Sequence, residues 1–447
     1  MCINFVIIRG VTTMELIDVI TSKENLNRAY KKVAANKGAG GVDGMKVEEL
    51  GAYIKGNKEE IVQSIRNRTY MPKPVRRVYI PKDNGKMRPL GIPTVLDRVI
   101  QQAIAQPIID IYEEIFSEFS YGFRPGRSCH DAIKQALEYL NEGYEWVIDI
   151  DIEQFFDKVN HDKLIQILRE QVNDSTTLHL IRKYLKAGAM EKGLEKATIS
   201  GVPQGGPLSV VLSNVYLDKL DKELEQRGLR FTRYADDTIV FTKSEKAANR
   251  VMKSITEWIE RKLFLKVNVT KTKVVRPTRS KYLGFTFLKH GGEWKVKPTT
   301  EKKKKLKQKL SEYLKRNKAI ARPLAETIKR VNEIARGWIN YFRIGMMKQF
   351  VEEFGAWLRH KMRVIVLKQW KVPKRIYKNL SYLNQKYKCG FDHEAIYKVA
   401  NSRLGWYRRS GMNVVNYIIS PEVLETRIKD GAGLLNPLNY YLRNVGI

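Results

Sequence analysis

Two periodic patterns of apolar and polar residues along the chain predict its helices and strands. Near the start, Leu26, Ala29, Tyr30 and Val33 recur every three to four positions, which is the spacing of one face of a helix. The same period predicts helices over residues 22–33, 48–66, 97–116, 207–225 and 247–265. A Lys-rich helical region is predicted over residues 301–318.

The second pattern has a period of two and predicts strands. Apolar and acidic residues alternate over residues 146–152, which places Asp149 and Asp151 on one face of a strand. Short apolar runs separated by turn-forming residues predict hairpins. The predicted hairpins are residues 76–81 with 88–93 around a turn at 83–86, 231–234 with 238–241 around Asp236-Asp237, and 282–288 with 293–297 around 290–292. Because hairpins replace strand–helix–strand repeats, the pattern favours an α+β fold.

Composition narrows the class of protein. The chain has 447 residues, 43% of them hydrophobic, and a net charge of +33, so we expect packed domains that attract polyanions. Three scattered Cys argue against a disulfide scaffold and a Cys-rich zinc module. No run reaches the roughly 18 apolar residues of a membrane span, and residues 1–13 do not fit a signal peptide. We therefore expect a cytoplasmic nucleic-acid-binding protein with no membrane partner.

The positive charge is concentrated near the end of the chain. From residue 301 onward there are 32 Lys and Arg against 11 Asp and Glu, so this last third carries +21 of the total +33. This asymmetry predicts a more balanced N-terminal body and a strongly basic C-terminal part.

Three carboxylates, Asp151, Asp236 and Asp237, lie at the ends of predicted strands, with Asp149 as a rival to Asp151. On its own, an Asp pair between two strands is typical of a turn. Together with a carboxylate at another strand end, it supplies the ligands that two-metal phosphoryl transfer needs. Mg²⁺ prefers such hard oxygen ligands. In a basic protein, the pattern favours nucleotidyl transfer with two Mg²⁺ ions, with Mn²⁺ as the alternative ion.

Several motifs resemble those of one family. Residues 234–237, YADD, match the YxDD signature of reverse transcriptases. Further blocks similar to that family occur in its order, at residues 88–93, 121–128, 149–157, 201–209 and 282–285. Residues 38–44 and 336–342 resemble blocks of the group II intron reverse transcriptases, also called maturases. The resemblance is strong from about residue 14 to about residue 370 and weakens thereafter.

The resemblance implies a right-hand polymerase. It implies fingers and palm over residues 14–295, a helical thumb over 296–370 and a small basic DNA- and RNA-binding domain over 371–447, after an extension at 1–13. The implied activity copies RNA into DNA from a 3′-hydroxyl primer with deoxynucleoside triphosphates. The implied partners are intron RNA, an RNA template, and a DNA primer and target, in a ribonucleoprotein that assists splicing and mobility.

The resemblance also sets further expectations. We expect a monomer located in the bacterial cytoplasm and associated with the nucleoid when it engages a DNA target. No paired Cys or His cluster follows residue 370, so we do not expect the His–Asn–His endonuclease domain that some members carry.

The resemblance assigns the metal ligands to Asp151, Asp236 and Asp237, with the carbonyl of Ile152 as a further contact. In the family, an aromatic gate lies five residues after the catalytic Asp, and Phe156 has this relation to Asp151 but not to Asp149. Phe156 is therefore implied to exclude a 2′-hydroxyl and so to select deoxynucleotides.

Nucleotide and primer contacts are implied as well. The nucleotide-binding residues are Lys82, Arg88, Phe156, Gln204, Gly205 and Lys271. Among them, Lys82 and Arg88 flank the finger hairpin and would hold the triphosphate, while Lys271 would act near the leaving pyrophosphate, with Lys273 an equal candidate. The implied primer grip is Tyr282, Leu283 and Gly284.

Basic residues beyond the palm predict contacts with nucleic acid. The predicted residues are Lys302, Lys303, Lys304, Lys305, Arg336, Arg343, Arg408 and Arg409. The Lys run would meet the template–primer backbone without reading sequence, and such contacts are sensitive to salt. Arg408 and Arg409 follow Trp406 and Tyr407, a mixture of cations and aromatics that suits single-stranded nucleic acid or intron RNA.

Two alternative functions stay open at this point. One is an RNA-binding splicing factor with an idle polymerase, against which the presence of all three Asp argues. The other is a domesticated reverse transcriptase that serves repair or phage defence, which the sequence does not exclude. The flanking DNA would distinguish an intron protein from a domesticated one.

Overall fold

The structure is a computed structural model that describes residues 15–81, 85, 87–191, 193–426 and 433–445. The predicted extension, residues 1–13, and the predicted ligand Lys82 lie outside these residues. The chain forms two compact units, Met1–Pro277 and Thr278–Ile447. The functional division predicted at residues 295 and 370 stays a prediction.

Helices make up most of the first unit, and local side-chain caps define several of their ends. Ser22 and Thr94 accept hydrogen bonds from backbone amides at the starts of their helices, and Ser128 with Asp131 forms a capping box. The helices are α1 (Leu16–Thr21), α2 (Lys23–Ala35), α3 (Leu50–Arg66), α4 (Val95–Glu113), α5 (Cys129–Asn141), α6 (Phe155–Lys158), α7 (His161–Arg169), α8 (Ser175–Lys186), α9 (Pro207–Gln226) and α10 (Glu245–Leu263). The five predicted helices of this unit are confirmed as α2, α3, α4, α9 and α10, with small shifts at their ends.

Two sheets belong to the first unit. The strands are β1 (Val75–Pro81), β2 (Met87–Ile92), β3 (Trp146–Ile150), β4 (Ala189–Glu191), β5 (Leu194–Lys196), β6 (Arg230–Tyr234), β7 (Asp237–Thr242) and β8 (Lys273–Val275). One sheet has the order β2-β1-β4-β5, in which β1 and β2 form the predicted antiparallel hairpin. The other has the order β6-β7-β3-β8 with every neighbouring pair antiparallel. The α+β prediction is therefore confirmed.

The core of the first unit is built around α4 and α9. Both helices bury residues on most of their circumference, as expected for helices enclosed by other elements. They pack against each other, and α4 also packs against α1 and α2. Ile148 of β3 and Val240 of β7 belong to the same core. The β6-β7-β3-β8 sheet therefore packs against this core.

Two predicted boundaries at this sheet were wrong. β3 ends at Ile150 rather than residue 152, because the chain turns through Gln154, whose φ is +49°, into α6. The tip of the β6–β7 hairpin is Ala235-Asp236 rather than Asp236-Asp237, since Tyr234 already pairs with Asp237. Ala235 takes the left-handed conformation that this turn requires, with φ of +58°.

The second unit begins with a hairpin and continues as helices. Strands β9 (Phe285–His290) and β10 (Glu293–Pro298) pair around Gly291-Gly292, at the predicted turn. The helices are α11 (Thr300–Tyr313), α12 (Arg316–Ala319), α13 (Leu324–Phe342), α14 (Lys348–Trp370), α15 (Pro373–Lys386), α16 (His393–Ala400), α17 (Trp406–Ser410), α18 (Asn413–Ile418), α19 (Pro421–Thr426) and α20 (Pro437–Asn444). The predicted Lys-rich helical region is thus divided between α11 and α12.

Within this unit, α13 buries an apolar stripe. Ala335, Ile339 and Phe342 are buried, and Trp338 lies 4.6 Å from Phe342 between ring centroids. The last helix, α20, returns to pack on α13 and α14. Across the described residues, none of the helices combines the length and the apolar character needed to cross a membrane.

Candidate active site

The predicted catalytic carboxylates come together at one end of the β6-β7-β3-β8 sheet. Ile150 of β3 pairs with Thr238 of β7, so the adjoining residues in this register, Asp151 and Asp237, lie side by side at the end of the sheet. Asp236 occupies the tip of the adjoining turn. Antiparallel pairing therefore joins two distant segments of the chain into one acidic edge.

The electrostatics of Asp237 reflect this convergence. Lost hydration, followed by the negative charges of Asp236 and Asp151, raises the pKa of the Asp237 carboxyl to about 6, against the lowering effect of Lys271. The side chain nevertheless keeps access to solvent. A nearby cation would stabilise the ionised form of a carboxylate that is surrounded by like charges.

Asp151 is held by the loop that follows α10. Its amide donates to Thr272 Oγ1 at 3.1 Å, and its carbonyl accepts from the Asn268 amide at 2.8 Å. Lys271 Nζ lies 3.1 and 3.2 Å from the two carboxylate oxygens of Asp151. Lys273 Nζ instead lies 3.9 Å from Asp149. The structure thus places Lys271, and not Lys273, on the predicted metal ligand.

The donor chemistry of this edge fits Mg²⁺. Three carboxylates offer hard oxygens, and Mg²⁺ sites commonly use one or two carboxylates completed by water and substrate phosphates. In the part of the chain that the structure describes, no three His, Cys, Asp or Glu side chains converge closely enough to enclose a metal ion by themselves. Ile152 is buried and bridges Val267.

The predicted gate, Phe156, lies in the short helix α6 directly after Asp151. Its ring meets that of Phe155 edge-on at 5.1 Å, and Phe155 is buried against Tyr216 of α9. The Val202 amide donates to the Phe156 carbonyl at 2.6 Å. These contacts tie the position of the gate to the loop before α9.

That loop contains the predicted residues Gln204 and Gly205. The Gly91 amide of β2 donates to the Gln204 carbonyl at 2.7 Å. Gly205 has φ of +127°, and a Cβ there would lie 2.4 Å from the Gly91 carbonyl oxygen, so only glycine fits. The close approach at Gly205 is thus made to strand β2 of the protein itself. Arg88 is exposed on the same strand, opposite Ile80.

Sequence reasoning missed a buried group beneath the catalytic turn. Arg233 of β6 is fully buried and forms a salt bridge with Asp221 of α9. It also contacts Asn214, whose side chain reaches the Gly122 carbonyl. The one signal in the sequence was a cation within a predicted strand, immediately before the YADD motif.

In the second unit, the predicted primer-grip residues form a tight turn before β9. Leu283 and Gly284 have φ of +50° and +84°, and Tyr282 pairs with Phe285 in both directions. The Tyr341 hydroxyl of α13 donates to the Leu283 carbonyl at 2.9 Å. The predicted grip is therefore anchored to the predicted thumb helix.

The predicted nucleic-acid-binding residues differ in exposure. Lys304, Lys305, Arg336 and Arg408 are exposed, whereas Lys302, Lys303 and Arg343 are half-buried. Lys303 lies over the Phe350 ring at 5.1 Å. Arg409 is buried, donates to the Ser402 carbonyl and covers Trp406. Arg409 is thus an internal cation and is not on the surface where nucleic acid was expected.

Two protein-family models match the chain. The model described as "Reverse transcriptase (RNA-dependent DNA polymerase)" matches residues 80–287. The model described as "Group II intron, maturase-specific domain" matches residues 303–383. The first match covers the carboxylate edge, and the second covers most of α11 to α15.

Named relatives agree with these matches. Protein YkfC of Escherichia coli (strain K12) is 34% identical over 315 residues, which are 62% of this chain and 82% of that protein. The group II intron-encoded protein LtrA of Lactococcus lactis subsp. cremoris is 41% identical over 212 residues, 47% of this chain and 35% of LtrA. An uncharacterized 91 kDa protein in the cob intron of Schizosaccharomyces pombe is 35% identical over 214 residues, 48% of this chain and 26% of that protein.

Proposed function

The chain belongs to the group II intron reverse transcriptases, also called maturases, and from this membership we propose that it extends a DNA primer on an RNA template and assists the splicing and mobility of its intron. The family's fold is the right-hand polymerase, and its activity is RNA-directed DNA polymerisation. The observation that carries the proposal is the convergence of Asp151, Asp236 and Asp237 at one end of an antiparallel sheet.

Those three carboxylates and the Ile152 carbonyl would hold two Mg²⁺ ions, or Mn²⁺ in their place. When bound, such ions stabilise the attacking and leaving oxygens of an in-line displacement. The residues of the chain do the positioning. Thr272 and Asn268 fix the backbone of Asp151, and the turn presents Asp236 and Asp237 beside it. Lys271, paired with Asp151 in this structure, would meet the leaving pyrophosphate once a nucleotide is bound.

Nucleotide selection is assigned to Phe156. Its ring is held edge-on by the buried Phe155, so a sugar placed at the carboxylate edge would meet a rigid wall. Phe156→Ala is expected to admit ribonucleotides, measured as the ratio of kcat/KM for deoxy- and ribonucleoside triphosphates. Unchanged discrimination would place the gate elsewhere. Arg88 and Lys82 are assigned to the triphosphate.

The second unit is assigned to grip the template–primer duplex and intron RNA. Exposed Lys304 and Lys305 on α11, with Arg336 on α13, suit contacts with phosphates. Replacing Lys304 and Lys305 by Gln is expected to weaken duplex binding and to make it less dependent on salt, with little change in kcat. Arg409→Gln, at a buried cation, would lower stability instead. A monomer in the bacterial cytoplasm, associated with the nucleoid at its DNA target, completes the proposal.

The decisive experiment is primer extension by the purified chain with an RNA template, a DNA primer, deoxynucleotides and Mg²⁺. Asp236→Ala with Asp237→Ala is expected to abolish extension and leave RNA binding intact, because the change removes ligands without touching the basic unit. Glu59→Ala with Glu60→Ala is the matched control, since this adjacent acidic pair is exposed on α3. Extension that persists in the Asp double variant would refute the site.

The outcome for the unmodified chain distinguishes the alternatives. Intron RNA binding without any primer extension would favour a splicing factor with an idle polymerase. Primer extension without intron RNA binding, and without intron RNA domains in the flanking DNA, would favour a domesticated reverse transcriptase.

A further inference from the structure

The turn that carries the catalytic carboxylates is conformationally strained. Ala235, at its first position, has φ of +58°, a left-handed conformation that costs a residue with a Cβ more than it costs glycine. Strained backbone of this kind persists only where its surroundings determine it. The contacts around Ala235 therefore hold it in this conformation.

Arg233 supplies one of these contacts from inside the protein. Its guanidinium is fully buried and donates through Nε and Nη2 to both carboxylate oxygens of Asp221, at 2.7 and 2.5 Å. The remaining nitrogen, Nη1, donates to the Ala235 carbonyl at 2.9 Å and to Asn214 Oδ1 at 3.0 Å. The planar fork thus connects α9 to the strained turn in a fixed geometry.

A second contact holds the turn from the other side. Asn214 Nδ2 donates to the Gly122 carbonyl at 2.8 Å, and Gly122 lies so close to the turn that a Cβ there would be 2.2 Å from the Ala235 nitrogen. The backbone of Arg233 is also paired with the segment before Gly122, through Phe119 and Tyr121. The turn is therefore enclosed between the 119–122 segment and the Arg233 side chain.

We propose that Arg233, held by Asp221 and Asn214, is a positioning residue that fixes the Ala235-Asp236 turn and thereby sets where Asp236 and Asp237 present their carboxylates. The proposal rests on the proposed function, since it assigns Arg233 to the geometry of that reaction. This role separates Arg233 from an Arg in an ordinary ion pair. Arg227 also pairs through its guanidinium with a carboxylate of α9, that of Glu223, but its remaining nitrogen donates to Ser254 Oγ and not to the turn.

The test compares Arg233→Lys with Arg227→Lys in the full chain. Lysine keeps the charge but loses the fork, so Arg233→Lys is expected to lower kcat about 100-fold, the scale of a misplacement near 1 Å. The KM for the nucleotide is expected to change little, because the nucleotide pocket is not touched. The Mg²⁺ concentration for half-maximal rate should rise. Arg227→Lys should change neither kcat nor the Mg²⁺ requirement.

A second variant perturbs the turn directly and leaves the Arg233–Asp221 ion pair unchanged. Gly122→Ala is expected to push the turn through its Cβ, lowering kcat and raising the Mg²⁺ requirement in the same way. Gly56→Ala is its control, since a Cβ at Gly56 meets nothing within 4 Å. Circular dichroism and thermal unfolding show whether each variant is folded.

The outcomes distinguish the proposed polymerase function from the positioning role of Arg233. Primer extension by the unmodified chain supports the proposed function whatever the variants do. Folded Arg233→Lys and Gly122→Ala proteins with an unchanged kcat and Mg²⁺ requirement would overturn the positioning role, even if their melting temperatures fell. If Arg233→Lys does not fold, Gly122→Ala alone decides in the same manner.

Discussion

Two hairpins with two-residue turns, one in each unit, are built in different ways. The β9–β10 turn is Gly291-Gly292, both residues have positive φ, and added Cβ atoms there would meet nothing within 4 Å. The β6–β7 turn is Ala235-Asp236, where a residue with a Cβ takes the left-handed conformation. The first turn follows from local chemistry alone. The second is maintained by Arg233 and Gly122, which places catalytic carboxylates on a turn that depends on tertiary structure.

The largest expected difference comes from lengthening each turn by one residue. A glycine inserted between Ala235 and Asp236 should abolish primer extension, because it shifts Asp236 and Asp237 relative to Asp151. A glycine inserted between Gly291 and Gly292 should be tolerated, since exposed loop tips accept insertions. Extension rates and circular dichroism of both variants provide the measurement. Equal losses of activity would contradict the contrast drawn between the hairpins.

A smaller effect is expected from the lysines beside each hairpin. Lys271→Ala should slow extension about 100-fold if this residue supplies a proton or charge to the leaving group, the lower range for such catalysis. Lys295, which lies 3.6 Å from Glu293 in an exposed pair beside the other turn, should tolerate Ala with little change in rate.

Lys273→Ala decides between the two lysines that the sequence left equal. Lys273 contacts Asp149 rather than Asp151, so single-turnover extension rates should fall far less than for Lys271→Ala. A larger loss at Lys273 would reverse the assignment.

Helix α9, which supports the β6–β7 turn through Asp221, also carries an electrostatic cost. Asp218 lies on α9 beside Asp221, and its Oδ1 is buried with no hydrogen-bond partner among the described residues. Burial, followed by the Asp221 charge, raises the pKa of the Asp218 carboxyl from its ordinary 3.8 to about 6. Between these values, the folded state keeps a proton that the unfolded chain has lost. The free energy of unfolding therefore falls as the pH rises through this window.

Asp218→Asn removes that charge and should raise the free energy of unfolding by about 3 kcal/mol above pH 6, with the gain shrinking toward pH 4. Urea unfolding at several pH values measures it. A gain that does not depend on pH would point to packing instead of charge.

The smallest effects concern the turn residues themselves. Gly292→Ala should cost about 1 kcal/mol, because it adds a Cβ at φ of +84°. Ala235→Gly relieves the same kind of strain but adds freedom to the unfolded chain, so its net change should stay within about 0.5 kcal/mol. Thermal unfolding compares the two. Strong destabilisation by Ala235→Gly would mean that the Ala methyl group itself holds the turn.

The sequence determined the features that depend on neighbouring residues. Helical periods predicted α2, α3, α4, α9 and α10, and turn chemistry located the hairpin at Gly291-Gly292, because both are local properties. The order of the motif blocks identified the family and predicted the three catalytic Asp. The same local reasoning placed the catalytic turn one residue too late, since a left-handed Ala is not a turn signal that sequence statistics favour.

Only the tertiary structure decided which distant residues meet. It paired Lys271 with Asp151, brought Gly205 against Gly91, buried Arg409 and joined Arg233 to Asp221 and the catalytic turn. None of these contacts can be recognised from a periodic pattern or a residue spacing in the sequence, because each depends on how separate elements pack. A strong charge on a strand is unusual, but its partner becomes known only when the neighbouring helix is in place. The motifs therefore indicated the chemistry, and the packing of separate elements aligned the residues that perform it.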